Sequence, residues 1–160
     1  TSVRGLQSMG KSIYSSLCRI DTMHRAQYDA SYQRFIQRLK HVEHTIKEQL
    51  SDIPSRAFVI YHPSLSEFAE EYGLKQLVIE QDGKEPTPQH IPALIEEAKK
   101  LGVRVVFIQQ EFDSKLIESI AKELGARMVV INPLGGDWKE QLLLITRALS
   151  DTTSSSIPTR

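Results

Sequence analysis

Phe58-Val59-Ile60-Tyr61-His62-Pro63-Ser64 is the stretch on which the fold of this chain depends. Its apolar run passes directly into a histidine and is then ended by a proline, a pattern typical of a short strand buried on both faces. Three later segments share a second pattern without gaps: a glycine, an apolar residue, a basic residue, four mostly apolar residues and a polar residue. These segments are 73–80, 102–109 and 125–132. The chain is therefore predicted to contain four buried strands, each ending in a polar side chain.

Helical patterns separate the four predicted strands. Apolar spacing and end signals predict helices from Leu65 to Tyr72, from Pro88 (with Thr87 as N-cap) to Leu101, from Asp113 to Leu124, and from Asp137 to Leu149. Strands that alternate with helices indicate an α/β fold with a four-stranded parallel sheet flanked by helices. The carboxyl ends of parallel strands share one edge, where such sheets bind ligands. We therefore expect to find these side chains along that edge: His62, Glu80, Gln109 and Asn132.

A long helical pattern precedes the first strand. Residues 3–20 show helical spacing, Asp21-Thr22 is typical of a helix start, and an apolar stripe then runs from Met23 to about Ser51. At 1.5 Å per residue this second helix would be about 40 Å long, more than a small sheet needs for cover. It is either a packing helix or a spine that continues to another domain. We expect three parts: helices over 1–52, an α/β lobe over 53–150 and a disordered tail over 151–160.

The composition excludes several classes of function. Lys and Arg together number 20, as do Asp and Glu, so the formal net charge is zero and no basic footprint for nucleic acid is present. No apolar run approaches the ~18–20 residues that span a bilayer. Cys18 is the only cysteine, which rules out a disulfide framework. Because the chain begins with Thr1 inside a predicted helix, we expect it to be a fragment of a longer protein.

His62 is the strongest candidate for chemistry. The chain has no phosphate-binding loop, no dinucleotide-binding glycine motif and no evident nucleophile beside a base. A strand-end histidine commonly just hydrogen-bonds a loop, but imidazole at a ligand-binding edge is also a ready ligand for zinc. Zinc needs about four donors, and after His62 the next candidate ligand is Asn132, whose neutral amide is a poor one. Glu80 and Glu85 either support a ligand or form ordinary salt bridges.

The residues alone leave three functions open. One is a metal site that a partner lobe completes. Another is a small standalone α/β enzyme with His62 as acid or base, which would require a second titratable group beside the ring. The third is an interaction domain without a small ligand, in which His62 is replaceable.

Several motifs resemble, in the right order, segments of the zinc/manganese ABC-transporter substrate-binding proteins. They are Tyr61-His62-Pro63-Ser64 with Phe68 to Leu74, Gly83-Lys84-Glu85-Pro86-Thr87-Pro88-Gln89-His90, Val106 to Phe112, and Ile131-Asn132-Pro133-Leu134. The long helix is similar to the rigid linker helix between the two lobes of that family. The match covers about residues 3–149, and several ordered motifs make it more specific than any one alone.

The resemblance implies a metal receptor and not an enzyme, located in the periplasm or on the cell surface as a lipoprotein, that delivers a transition metal to an ABC permease. His62 matches the family's first metal ligand in the C-terminal lobe, and histidine there indicates zinc, with manganese as the alternative. Asn132 stands where many members have a ligating aspartate. The chain would comprise the linker helix and the C-terminal lobe, without the N-terminal lobe.

Two expectations follow from a missing lobe. The chain alone should bind zinc weakly or not at all, because His62 and Asn132 do not complete a coordination shell. It should also self-associate through apolar surface of the helix over 23–51 that the other lobe would cover.

Overall fold

The computed structural model describes residues 2–81, 83–87, 89–113 and 115–151. Over these residues the chain forms two helices followed by four strands that alternate with four further helices. The strands are β1 (Ala57–Ile60), β2 (Lys75–Val78), β3 (Val105–Gln109) and β4 (Arg127–Ile131). The helices are α1 (Val3–Ile20), α2 (Arg25–Gln49), α3 (Ser66–Glu71), α4 (His90–Lys100), α5 (Lys115–Leu124) and α6 (Trp138–Ser150).

The four strands form one parallel sheet in the order β2-β1-β3-β4. Ala57 of β1 is in register with Lys75 of β2, and Val105 of β3 is in register with Arg127 of β4. The predicted α/β fold with a four-stranded parallel sheet flanked by helices is therefore confirmed. All four carboxyl ends lie along the same edge of the sheet.

The second strand is shorter than predicted. β2 ends at Val78, two residues before Glu80. Backbone pairing nevertheless continues, because the N–H of Ile79 donates to the Ile60 carbonyl at 2.9 Å and the N–H of Glu80 donates to the Tyr61 carbonyl at 3.2 Å. Glu80 is thus held against the end of β1 by the same ladder that holds the strand.

Both faces of the sheet are covered by helices. Phe58 and Ile60 of β1 belong to an apolar core shared with α2, α3 and α6, whereas Ala57 and Val59 belong to a second core shared with α4 and α5. All four side chains are buried. A strand between two helical layers has no solvent face, which explains its unbroken apolar run.

Arginines at the opposite edge of the sheet support the ends of helices. The Arg56 guanidinium donates to the carbonyls of Leu50 and Tyr72, at 3.2 and 2.6 Å, which directly follow α2 and α3. Arg127 donates to the Ala148 carbonyl in the last turn of α6 at 2.8 Å. Helix C-termini carry unpaired carbonyls and a partial negative charge, so cations stabilise them. At these two positions the basic residue at the start of the strand stabilises helix ends and lies away from the ligand edge.

A braced turn joins α1 to α2. The Asp21 Oδ2 atom accepts a hydrogen bond from the Tyr28 hydroxyl and lies 2.8 Å from the His24 Nδ1 atom. The Tyr28 hydrogen bond, followed by the contact with His24, lowers the pKa of Asp21. α2 begins at Arg25, and His24 precedes it without a side-chain cap. α2 thus begins later than the predicted start at Asp21-Thr22, although the Asp21 Oδ1 atom does accept from the His24 N–H at 3.3 Å.

α1 packs back along the first half of α2. The rings of Tyr14 and Tyr32 stack with centroids 4.5 Å apart, and the Tyr14 hydroxyl donates to Asp29 Oδ1 at 2.5 Å. This hydrogen bond raises the pKa of Tyr14 to about 12. One turn earlier on α1, Gly10 lies directly against the Phe35 ring of α2. The absence of a side chain at Gly10 allows the two helices to approach.

The exposed apolar surface lies on α1 and not on the long helix. Its large exposed side chains are Met9, Ile13, Leu17 and Ile20, whereas over the predicted range 23–51 the one large exposed apolar side chain is Met23, which precedes α2. The prediction that the helix over 23–51 carries most of this surface is therefore wrong in its location. The stripe of α2 is already covered, by the sheet at its C-terminal half and by α1 at its N-terminal half.

Two predicted helix starts have different outcomes. Asp137 caps α6, since its Oδ1 atom accepts from the Glu140 N–H at 3.1 Å. Thr87 does not act as the predicted N-cap, because α4 begins only at His90, whose N–H donates to the Thr87 carbonyl at 3.0 Å. Pro88, the predicted first helical residue, lies outside the described residues, as does the predicted tail over 151–160 except for Asp151. No helix in the described ranges is both long and apolar enough to cross a bilayer.

The close approach at Gly10 gives a test of the helical pair. Gly10→Val should lower the free energy of unfolding by about 1–3 kcal/mol, because the new methyl groups would overlap the Phe35 ring. Lys11→Val introduces the same side chain at the next, exposed position, and should change it by less than about 0.5 kcal/mol. Urea unfolding followed by circular dichroism measures both. Equal effects of the two variants would contradict the packing described here.

Candidate metal-binding site

The predicted site residues lie along one edge of the sheet. His62 follows β1, Glu80 follows β2, Gln109 ends β3 and Asn132 follows β4. The parallel register brings all of these strand ends to the same side of the molecule, as the spacing in the sequence predicts. They do not form one cluster, however, and each is described by its own contacts.

His62 and Glu80 form a hydrogen-bonded pair across neighbouring strands. The His62 Nδ1 atom lies 2.8 Å from the Glu80 Oε1 atom. The imidazole is 49% exposed, whereas the carboxylate is only 10% exposed. A carboxylate can only accept, so the contact favours the ring form with its proton on Nδ1. The Nε2 atom then carries a lone pair, on a side chain that is half open to solvent.

Gln109 fixes the backbone that carries the histidine. Its side chain is 1% exposed, and its Nε2 atom donates to the His62 carbonyl at 2.8 Å and to the Ser64 hydroxyl at 2.7 Å. Its Oε1 atom is buried and has no hydrogen-bond partner among the described residues. An unpartnered buried amide oxygen costs about 1–3 kcal/mol, as much as two ordinary hydrogen bonds contribute. Gln109 therefore adds little net stability, and its main effect is to hold the loop from His62 to Ser64.

Sequence reasoning placed Gln109 at the edge but missed this role. The available signal was a polar residue at the end of a strand that is otherwise buried on both faces. Such a residue must be paired by neighbouring loops, because an unpaired amide is costly there. Which loop it pairs with depends on the strand order, which the sequence pattern does not specify.

Aromatic rings form one wall beside the histidine. The Tyr61 and Phe112 ring centroids are 4.5 Å apart, and the His62 and Phe112 centroids are 6.2 Å apart. Next to this wall is a shallow cavity of about 330 Å³ that Tyr61, Glu85 and Lys115 help to line. Of the two predicted carboxylates, Glu85 lines this cavity near the ligand edge of the sheet, and Glu80 is the one that contacts His62.

Asn132 lies on the far side of β3 from His62. Adjacent strands are ~4.8 Å apart, so the two backbones are separated by roughly 10 Å. The Asn132 N–H donates to Gln141 Oε1 at 2.8 Å, and its side-chain amide donates to Gln110 Oε1 at 3.4 Å. In the part of the chain that the structure describes, no three His, Cys, Asp or Glu side chains come together as a metal site. His62 fits a single metal ligand, and Asn132 adds at most a distant neutral oxygen.

Of the other four histidines, His24, His44 and His90 have local partners, whereas the exposed His41 ring has no hydrogen bond or ion pair among the described residues. His24 Nδ1 pairs with Asp21, and His44 Nε2 lies 3.3 Å from Glu48 one turn along α2. His90 Nε2 lies 3.0 Å from the Val78 carbonyl, which makes that nitrogen the protonated one. Two of these pairs are contacts within a helix or its turn. His62 differs in lying at the ligand-binding edge with its second nitrogen free to act.

Comparison with known proteins gives an independent indication of function. A family model described as zinc-uptake complex component A, periplasmic, matches residues 1–151. The chain is 28% identical over 134 residues to the zinc-binding protein AdcA of Streptococcus pyogenes serotype M18, covering 82% of this chain and 26% of the relative. It is 26% identical over 133 residues to the high-affinity zinc uptake system protein ZnuA of Bacillus subtilis strain 168, covering 82% of this chain and 42% of the relative.

Solved structures agree with the match in sequence. The chain superposes on a crystal structure of ZnuA with a TM-score of 0.87 at 32% identity. The superposition covers 93% of this chain and 58% of that one. The chain therefore spans less than half of these two curated relatives and somewhat more than half of the solved ZnuA.

The hydrogen-bond pattern predicts opposite ring forms for two histidines. At alkaline pH, long-range ¹H–¹⁵N correlation spectra should show His62 protonated on Nδ1, because Glu80 accepts there, and His90 protonated on Nε2, because the Val78 carbonyl accepts there. Glu80→Gln should shift His62 toward a mixture, since an amide both donates and accepts, whereas Glu85→Gln should leave it unchanged. Finding His62 protonated on Nε2 in the unmodified chain would contradict the geometry.

Proposed function

This chain belongs to the family of periplasmic zinc-uptake complex components, and on that basis we propose that it is the metal-receiving lobe of a zinc receptor that serves an ABC uptake transporter. The single observation that carries the proposal is the His62–Glu80 pair, at 2.8 Å, at the ligand edge of the sheet. In metal sites a carboxylate on one imidazole nitrogen fixes the ring and makes the other nitrogen a better donor. The pair is the arrangement that a single zinc ligand requires.

The roles of the other residues follow from their contacts. His62 would bind zinc through Nε2, Glu80 would hold the ring in the required form, and Gln109 would hold the His62 backbone in place. The Phe112 ring lies beside the imidazole, with the two centroids 6.2 Å apart. Zinc binding by His62 should require little rearrangement, because Glu80 and Gln109 are themselves held by the sheet.

Zinc is the favoured cargo because of the donor type. Imidazole suits zinc, whereas manganese prefers carboxylate and carbonyl oxygens. Manganese remains the alternative cargo, and it would gain less from His62. Asn132 could supply a neutral oxygen only if the remaining donors drew the ion toward β4.

The donor count implies that another lobe completes the site. Zinc takes about four ligands, and the described residues offer His62 with Asn132 as a distant second. The curated relatives are more than twice as long as the part matched here. We propose that residues 1–52 connect the two lobes, that 53–150 form the lobe described here, and that the remaining ligands come from an N-terminal lobe. The complete receptor would act in the periplasm or at the cell surface and pass zinc to an ABC permease.

The same pair also raises the alternative of a small α/β enzyme, since a carboxylate can orient a histidine as a general base. Membership of a zinc-uptake family favours a receptor over an enzyme. An interaction domain without a small ligand is disfavoured because it gives Glu80 and Gln109 no reason to converge on His62.

Zinc titration tests the role of His62. The 160-residue chain should bind zinc weakly, and the addition of zinc should shift the His62 Nε2 signal. His62→Ala should remove the shift, whereas His24→Ala deletes another histidine that lies 2.8 Å from a carboxylate and should leave it. Joining the first lobe of a two-lobe relative upstream of Thr1 should give much tighter, one-to-one binding that depends on His62.

Two calorimetric results would contradict this proposal. Tight one-to-one zinc binding by the 160-residue chain alone would show that no second lobe is needed. Unchanged affinity of the His62→Ala variant in the two-lobe protein would show that His62 is not a ligand.

The exposed apolar row on α1 has a place in the same proposal. Met9, Ile13 and Leu17 line an apolar cavity of about 370 Å³ between α1 and α2. A contiguous apolar surface with one open side tends to be covered by a partner. We propose that the other lobe covers it in the complete receptor, and that a second copy covers it in the 160-residue chain.

Light scattering on the 160-residue chain tests this self-association. A dimer or larger species is expected at high concentration. Ile13→Glu should return the chain to a monomer, because it places a charge on the apolar row, whereas Gln7→Glu adds the same charge to an exposed position of α1 away from the cavity lining and should not. If the unmodified chain is monomeric at high concentration, a second copy does not cover the apolar row on α1.

A further inference from the structure

A second cavity, between α2 and α6, is lined largely by basic side chains. Its volume is about 360 Å³, and it lies outside the edge that carries His62. The lining residues are Arg34, Gln37, Arg38, His41 and Val42 of α2 and Lys139 of α6. No acidic residue is among them, although the chain as a whole has a formal net charge of zero. The cavity is therefore a local concentration of positive charge.

Unlike Lys47 and His44 of the same helix, these cations lack acidic partners within the described ranges. Near the C-terminal end of α2, Lys47 pairs with Glu43 at 2.5 Å and His44 lies near Glu48. Among the described residues, no ion pair joins a carboxylate to Arg34, Arg38 or Lys139. Arg34 and Arg38 are four residues apart, a spacing at which like charges destabilise a helix. A bound anion would relieve this repulsion.

The surrounding structure orients the cavity toward an anion. Lys139 lies in the first turn of α6, whose N-terminus is already capped by Asp137, so the positive charge of the cavity comes from its side chains. The Arg34 Nη2 atom donates to the Ser31 hydroxyl at 3.0 Å, which holds the guanidinium while leaving other N–H groups available. Val42 is buried and gives the cavity an apolar floor. Two helices thus bring three permanent cations to one concave surface.

We propose that this cavity binds a phosphate group, either as free phosphate or as the headgroup of an anionic phospholipid. Arginine guanidinium groups match the oxygens of phosphate in pairs, and two arginines with a lysine supply the charge that such a group needs. The cavity volume is at the small end of the range for ligand sites, about 300–1,000 Å³, which fits a single compact group. A nucleic acid would need a longer basic stripe. The site is independent of the zinc proposal.

The first arm of the test uses inorganic phosphate. Sodium phosphate added to the ¹⁵N-labelled chain should cause saturating shifts of the Arg34 and Arg38 side-chain N–H signals and the Lys139 amide. Sodium chloride at matched ionic strength should not. Arg34→Gln/Arg38→Gln should weaken the binding by about tenfold or more. The control Lys40→Gln/Lys122→Gln removes the same charge at positions outside the cavity and should leave it unchanged. Circular dichroism confirms that each variant is folded.

The second arm separates the two sources of phosphate. Sedimentation with phosphatidylglycerol-containing vesicles, compared with pure phosphatidylcholine vesicles, tests the lipid headgroup. Binding to the anionic vesicles alone, lost in the arginine variant and kept in the lysine control, supports the headgroup as ligand. Saturable binding of phosphate alone supports the free anion. Binding in neither arm, or equal loss in both double variants, overturns the proposal.

Discussion

Burial of both faces of the sheet is the constraint on which the rest of the structure depends. β1 lies between two apolar cores, so its polar neighbours can lie only beyond its ends. At one end the arginines close helix termini, and at the other His62 and Gln109 project from strand ends. The division of the molecule into a structural edge and a chemical edge therefore follows from how the sheet is covered.

At the edge that carries His62, two contacts fix the orientation of its ring and the position of its backbone. Glu80 reaches His62 because the β1–β2 ladder continues beyond the formal end of β2. Gln109 reaches the His62 backbone because β3 pairs with β1 on its other side. The histidine is thus held by both neighbouring strands. A ring held in this way loses little freedom when it binds an ion, which favours binding even by a single strong donor.

Sequence patterns predicted the sheet, the edge and the position of His62, because apolar runs that end in polar residues depend only on local periodicity. They did not predict the contact between His62 and Glu80, or the clamp by Gln109, because both depend on which strands are neighbours. They also predicted on α2 an exposed apolar surface that lies mostly on α1. Helical spacing shows that α2 has an apolar stripe, but not that α1 folds back to cover half of it. Thr87 failed as a helix start because its carbonyl, and not its side chain, meets the first turn of α4.

In the proposed site, His62 binds zinc through Nε2 while Glu80 accepts a hydrogen bond from Nδ1. Anomalous diffraction at the zinc absorption edge, from crystals of the chain grown with zinc, tests it most directly. We expect an anomalous peak at the usual zinc–nitrogen distance of ~2.0–2.1 Å from His62 Nε2, with the Glu80 hydrogen bond intact. A peak on Nδ1 with Glu80 displaced, or zinc bound only at His24 or His44, would contradict it.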